Sequence, residues 1–326
     1  MIFPDRIRLR SARFIVVGIV FALLTVVPFI AQALQQPYYV TLFARIVIYA
    51  LAASSLNLIL GYGGMVSFGH ALYFGLGAYA VGILAYHGID NGWLHLAVAV
   101  CACATVALLT GAIALRTRGM AFIMITLAFA QMFFFFALSL KQYGGDDGLT
   151  IAQRSDFTPL LNLQSNTTLY YTVWLLLVGF LYFTWRLVNS RFGMVLRGTR
   201  ANERRMQSLG FPMLRYRLTA YVLSACVCGV AGFLLANLAK FATPAYMAWT
   251  VSGELIVMVM LGGMGTVAGP LFGAVALLLF EELMPAWLGA IQPGWKEHWM
   301  IVLGIAIVLI VLLARRGIYG LLAERG

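Results

Sequence analysis

Charge in this chain is confined to short segments between long apolar runs, and no other feature limits its fold so tightly. Ten such runs, most close to the ~20 residues that cross a bilayer, lie at 14–34, 40–60, 70–87, 94–115, 119–140, 169–188, 218–238, 250–262, 268–285 and 299–314. Backbone groups inside lipid must be satisfied within their own segment, so each run reads as a helix. Composition points the same way: 62% of residues are hydrophobic and 10% charged, where a soluble domain carries about 25% charged residues. The chain is therefore expected to be an all-α, polytopic membrane protein of about ten helices, forming one transmembrane domain over residues 1–326.

The distribution of the basic residues predicts orientation. Seventeen Lys and Arg fall on one side of the ten spans: Arg6 to Arg13, Arg116 and Arg118, Arg186 to Arg217, and Arg315, Arg316 and Arg325. The other side carries four, Lys141, Arg154, Lys240 and Lys296. The positive-inside rule makes the first side cytoplasmic and puts both termini there, with a basic tail at 1–13. The formal net charge of +11 therefore reports membrane orientation and contact with lipid head groups, not nucleic acid. Arg45 falls inside the second span and is read as snorkelling outward. The first run exceeds the usual h-region of a cleaved signal peptide, so it is expected to be a membrane helix.

Two interruptions hold glycine without charge, Gly61 to His70 and Gly262 to Pro270. Uncharged irregular backbone at membrane depth is tolerated where it is buried in protein or lines a wet cavity. Close helix packing through small residues is an equally good reading. Two polar segments are long enough to matter: 141–168, expected to be mainly a solvated connector on the outer side, and 189–217, a basic cytoplasmic loop. A helix around Arg197 to Gly210 could dock into a partner's groove, although composition alone favours a loop that orients the chain.

Chemical motifs are scarce. No G-x-x-x-x-G-K-[ST] occurs, so ATP would have to be bound elsewhere. Four scattered histidines lack metal-ligand spacing, and the two C-x-C pairs, Cys101/Cys103 and Cys226/Cys228, point their sulfurs to opposite sides of a helix. Ser67 and His70 form a pair without the third group that nucleophilic catalysis requires. Glu254 is the acid that most invites a functional reading, because an ionisable group in the bilayer is costly; Glu281 and Glu282 are placed close enough to the outer end to reach water.

The order of residues Asn57, Leu58, Leu60, Gly61, Tyr62, Gly64, Ser67, Gly69, His70, Ala71, Phe74, Gly75, Gly77, Ala78 and Tyr79 resembles the signature of the Liv-type branched-chain amino acid ABC transporter permease family. Three further segments resemble that family: Thr126 to Gln131, Ser190 to Gly210, and Glu254 to Gly273. Together they cover most of residues 50–285.

The resemblance implies a permease subunit of a bacterial inner-membrane importer of amino acids. It would work with a second permease, two cytoplasmic ATPases and a periplasmic substrate-binding protein, and hold no cofactor or metal itself. The substrate path would then involve Asn57, Gly61, Gly64, Ser67, Gly69, His70, Thr126, Gln131, Glu254, Gly262, Gly263 and Gly265. Coupling to the ATPase would fall to Arg197, Arg200, Asn202, Glu203, Leu209 and Gly210. A urea, amide or other amino acid importer of the same family is the alternative, and a stand-alone secondary transporter using Glu254 is a more distant one.

Overall fold

The structure is a computed structural model that describes residues 12–33, 35–158, 163–291 and 300–305, with Val308 and Gly317. The first eleven residues, Lys296, His298, Arg315, Arg316 and Arg325 lie outside the described residues, as does most of the tenth expected span. Helices stand at the other nine: α1 (Ala12–Ala33), α2 (Pro37–Asn57), α3 (His70–Tyr86), α4 (Gly92–Ala114), α5 (Met120–Ser139), α6 (Asn166–Val188), α9 (Met213–Ala239), α10 (Trp249–Gly262) and α11 (Gly269–Ile291). Two short helices, α7 (Arg191–Ala201) and α8 (Glu203–Ser208), fill the basic loop. Among the described residues, six helices are long and apolar enough to cross a membrane. Three shorter apolar ones, Val17–Ala33, His70–Tyr86 and Trp249–Gly262, accompany them.

Helix limits differ from expectation where a breaker was overread. α11 passes through Pro285 instead of ending there. Proline removes a single backbone donor, a loss that neighbouring groups make good in membrane helices. α9 starts five residues early and takes Arg215 and Arg217 into its first turns. α2 does not stop before Gly61: it widens into a π-helical turn, Leu58–Tyr62, so the irregular segment begins at Gly63.

α2 is almost wholly buried and packs against α1, α6, α9, α10 and α11. α3 and α9 form the closest pair because glycine removes side chains from the seam. A Cβ at Gly77 would overlap the Gly229 carbonyl, and one at Gly232 the Phe74 carbonyl. Lipid offers no hydrophobic drive between helices, so this backbone approach supplies their van der Waals attraction. The four cysteines are unpaired, and Cys103 and Cys228 are buried while Cys101 is exposed.

The two ends of the bundle differ. One gathers the basic loop, the turn at 115–119 and both glycine-rich breaks; the other gathers 87–91, 141–158 and 240–247. The 141–158 segment is anchored, unlike the solvated connector expected. Its β1 (Leu149–Thr150) pairs antiparallel with β2 (Phe241–Ala242), and Asp156 bridges to Asn91. Arg154 is 5% exposed and donates to the carbonyls of Asn237 at 2.9 Å, Leu163 at 3.1 Å and Gln164 at 2.9 Å, and to Asn166 Oδ1 at 2.6 Å. Burial lowers its pKa from the usual arginine value, yet a guanidinium stays protonated in proteins. An Arg154→Met variant removes this donor from the Asn237 and Leu163 carbonyls and from Asn166 Oδ1, at about 1–3 kcal/mol each. Its melting temperature in detergent should fall by several degrees; an unchanged value would mean that water replaces the guanidinium.

Candidate functional site

The two breaks, two hundred residues apart in sequence, meet at the arginine-rich end. Asn57 ends α2 and is 1% exposed. Its Nδ2 donates to the Thr266 carbonyl at 2.8 Å, and its Oδ1 accepts from the Gly265 N–H at 3.0 Å. One buried amide therefore satisfies both polar groups of a peptide segment in the second break, as buried irregular backbone requires. Gly61 lies against the same contact: a Cβ there would strike Asn57 Oδ1 and the backbone of Gly265. Thr266 closes the second break by donating to the Gly263 carbonyl at 2.8 Å and accepting from the Gly269 N–H at 3.1 Å.

The basic loop reaches into this junction. Arg200, in the last turn of α7, donates from Nη1 to the Gly61 carbonyl, which lies in the π-helical turn. Its stem covers Gly64, whose φ of +69° keeps the chain in the left-handed region that favours glycine. The junction of both breaks and the loop is one contact, and Arg200 is its link.

The rest of the loop spends its polar groups on its own shape. Arg197 donates to the Val188 carbonyl at 3.0 Å. Asn202 caps α8, accepting from the Arg205 N–H at 3.1 Å. Glu203 forms ion pairs with Arg217 of α9 at 2.8 Å and Arg118 of the 115–119 turn at 3.1 Å. Gly210, with φ +83°, ends α8 through bonds from Phe211 N to the Met206 carbonyl and from Gly210 N to the Gln207 carbonyl, a Schellman arrangement. Leu209 is different: it is 64% exposed and apolar. A cavity of about 360 Å³ opens between this loop and the first break, lined by Gly64, Met65, Arg118, Arg200, Glu203 and Arg217 among others.

Ser67 and His70 are fully buried and face neighbouring helices. His70 Nε2 lies 2.8 Å from Ser224 Oγ, and Ser224 itself donates to the Ser55 carbonyl. The serine proton is thus committed, so His70 carries its proton on Nε2 and accepts at Nδ1 from Ser67 Oγ, 3.4 Å away. Tyr73, hydrogen-bonded to Tyr221 at 3.0 Å and Thr110 at 2.9 Å, extends this polar seam across α3, α4 and α9. The arrangement satisfies its members as structure does. His70→Ala should cost about 3 kcal/mol or more through a cavity and a stranded Ser224, read as a lower melting temperature with transport lost in proportion. Loss of transport at unchanged stability would place His70 in the path instead.

Thr126 pins the first break from α5: its Oγ1 accepts from the Phe68 N–H at 3.2 Å, and Gly69 packs against it. Gln131, further along α5, is half-buried with its amide nitrogen unpartnered. Gly262 and Gly269 pack backbone to backbone where α10 meets α11, and Gly263 takes φ +119°. Glu254 stands in the second turn of α10 and is exposed, away from the junction. Sequence reasoning missed Thr266, Ser224, Arg118 and Arg217. Ser224 and Arg118 meet partners far along the chain and Arg217 one 14 residues away, whereas the Thr266 hydroxyl bonds within its own break and gave the one local hint.

Long apolar helices, glycine-mediated seams and one arginine-rich end define a multi-pass membrane protein. The sequence pattern of the family described as "Branched-chain amino acid transport system / permease component" matches residues 38–311, and the chain belongs to that family. It is 26% identical over 294 residues to the high-affinity branched-chain amino acid transport system permease protein LivM of Escherichia coli K12, covering 83% of this chain and 67% of that protein. Identity to the permease protein LivH of the same organism is 25% over 292 residues, covering 83% and 91%. The L-arabinose ABC transporter permease protein AraH of Azospirillum brasilense matches over 119 residues at 27%, 35% of each chain. No solved structure matches.

Proposed function

We propose that this chain is the membrane subunit of an ATP-driven importer of amino acids, branched-chain ones foremost, in a bacterial inner membrane. Membership of a permease family over residues 38–311 carries the reading. Relatives named as LivM and LivH, both permeases of one transport system, support pairing with a second permease. Two ATPases and a periplasmic binding protein complete the assembly by analogy, and ATP is bound by those ATPases. Ten spans with both termini in the cytoplasm remain the preferred topology, with 189–217 as the coupling loop on that side.

On this reading the coupling residues divide by task. Leu209 offers an exposed apolar contact beside the exposed Arg204 and Arg205, suited to docking an ATPase. Arg197, Asn202, Glu203 and Gly210 hold the loop's shape, and Arg200 connects it to the breaks. Alternating access would follow if movement of the loop shifted the π-helical turn and second break together. Purification of the tagged chain from its host in mild detergent should recover a P-loop ATPase and a second permease. A Leu209→Asp variant should lose the ATPase and keep the permease. A chain that purifies alone and moves solute without ATP would overturn the importer reading.

A further inference from the structure

Near the end opposite the arginine cluster, one face of the bundle exposes charge within membrane-spanning helices. Arg45 is exposed on α2, eight residues and about 12 Å from its start. Glu254 is exposed on α10, five residues and about 8 Å from its start. Half-buried Glu281 lies about 15 Å from the far end of α11. These helices pack on one another, and the three charges are within electrostatic reach: both Arg45 and Glu281 act on Glu254. Among the described residues no ion pair joins Arg45 to Glu254 or Glu281. Exposed charge at this depth is costly against lipid, so the face should meet water or protein.

Aromatic rings stand beside the charges. The Arg45 guanidinium lies 5.7 Å from the centre of the Tyr49 ring. Tyr49 packs on Phe74 at 5.5 Å, and Phe74 on Tyr246 at 6.1 Å. Tyr246 is half-buried, whereas Tyr49 and Phe74 behind it are buried. Glu282, next along α11, accepts a hydrogen bond from Tyr38 in the first turn of α2 and is therefore already engaged.

We propose that Arg45 and Glu254 form a transit site for the zwitterion of an apolar amino acid, with Arg45 taking the carboxylate, Glu254 the ammonium, and the half-buried Tyr246 ring the side chain. The proposal rests on the importer reading and adds a site to it. A cation and an anion held apart match the two ends of an α-amino acid, and Glu281 leaves an excess of negative charge for the ammonium. A second permease packed on this face would use the same charges as fixed interface contacts, and the experiment separates the two.

The assembled importer is tested with Arg45→Gln and Glu254→Gln for leucine uptake, and with Glu254→Cys for reaction with a water-soluble thiol reagent. Wild type supplies the labelling background from exposed Cys101. Each Gln variant should lose at least tenfold in uptake while still co-purifying with its partners, and millimolar leucine should slow labelling of the new cysteine but not the background. Uptake within twofold of wild type in both variants overturns the site. So does a cysteine that reacts no faster than background, or one that cross-links to the second permease with no leucine protection. If the wild-type importer moves no amino acid, the functional reading falls; absence of leucine protection then overturns the zwitterion site separately.

Discussion

A Gly61→Ala substitution should leave little folded protein, although it adds one methyl group in a π-helical turn. The methyl would occupy the space of Asn57 Oδ1 and press on the Gly265 backbone. Neither obstacle is the free end of a flexible side chain: Asn57 is tied at both ends of its amide, and Gly265 is main chain. Overpacking costs about 1–3 kcal/mol, and each buried group left without its partner about 1–3 kcal/mol more. With both bonds of Asn57 lost, a combined loss of roughly 3–9 kcal/mol is a large share of the roughly 5–15 kcal/mol that holds a typical protein folded. The measurement is thermal unfolding in detergent alongside the yield of monodisperse protein. Asn57→Ala alone should also destabilise, by breaking the same two bonds, and the double variant should be less impaired than the sum because the Oδ1 obstacle is gone. Additive losses, or a Gly61→Ala protein as stable as wild type, would show that the two breaks are not clamped as described.

How much of this could be read from sequence follows from the range of the interactions. Helix positions came from apolar runs, a local signal, and nine of them coincide with helices because lipid-depth backbone has few alternatives. The limits that moved, at Pro285, at Met213 and at the π-helical turn, depend on what neighbouring segments supply to a proline, an arginine or a free carbonyl. Asn57, Gly61 and Gly265 were singled out from glycine without charge and from family resemblance. Their mutual contact was not legible, because an amide spanning 209 residues of sequence leaves no periodicity. The same holds for His70: its spacing to Ser67 was visible, whereas Ser224, 154 residues away, decides its environment. The 141–158 segment was misjudged for a related reason. Its glycines and aspartates look solvated, while its anchors are a two-residue strand pair, a bridge to Asn91 and a buried arginine that composition counts as one more surface charge.

On the proposed importer reading, Arg200→Ala should abolish productive coupling while leaving the subunits together. The side chain contributes one charge-assisted bond to the Gly61 carbonyl and a stem over Gly64, with no part in the ion pairs of Glu203. A bond of that kind is worth about 1.5–3 kcal/mol, which at about 1.4 kcal/mol per decade is a tenfold to hundredfold change in an equilibrium. If the loop's position biases the two access states through Arg200, that energy enters their balance directly. Uptake should fall by at least tenfold, while the ATPases implied by the importer reading continue to hydrolyse ATP. Arg200→Lys keeps the charge but offers a compact ammonium where the planar guanidinium reached, so a partial defect is expected. The comparison with Leu209→Asp is decisive, because that change should remove the ATPase itself. An Arg200→Ala importer that transports within twofold of wild type would show that force passes through α7 packing or the Glu203 ion pairs instead. If Arg200→Ala also sheds the ATPase, Arg200 shapes the docking surface, and the junction of the two breaks is then a structural clamp outside the coupling route.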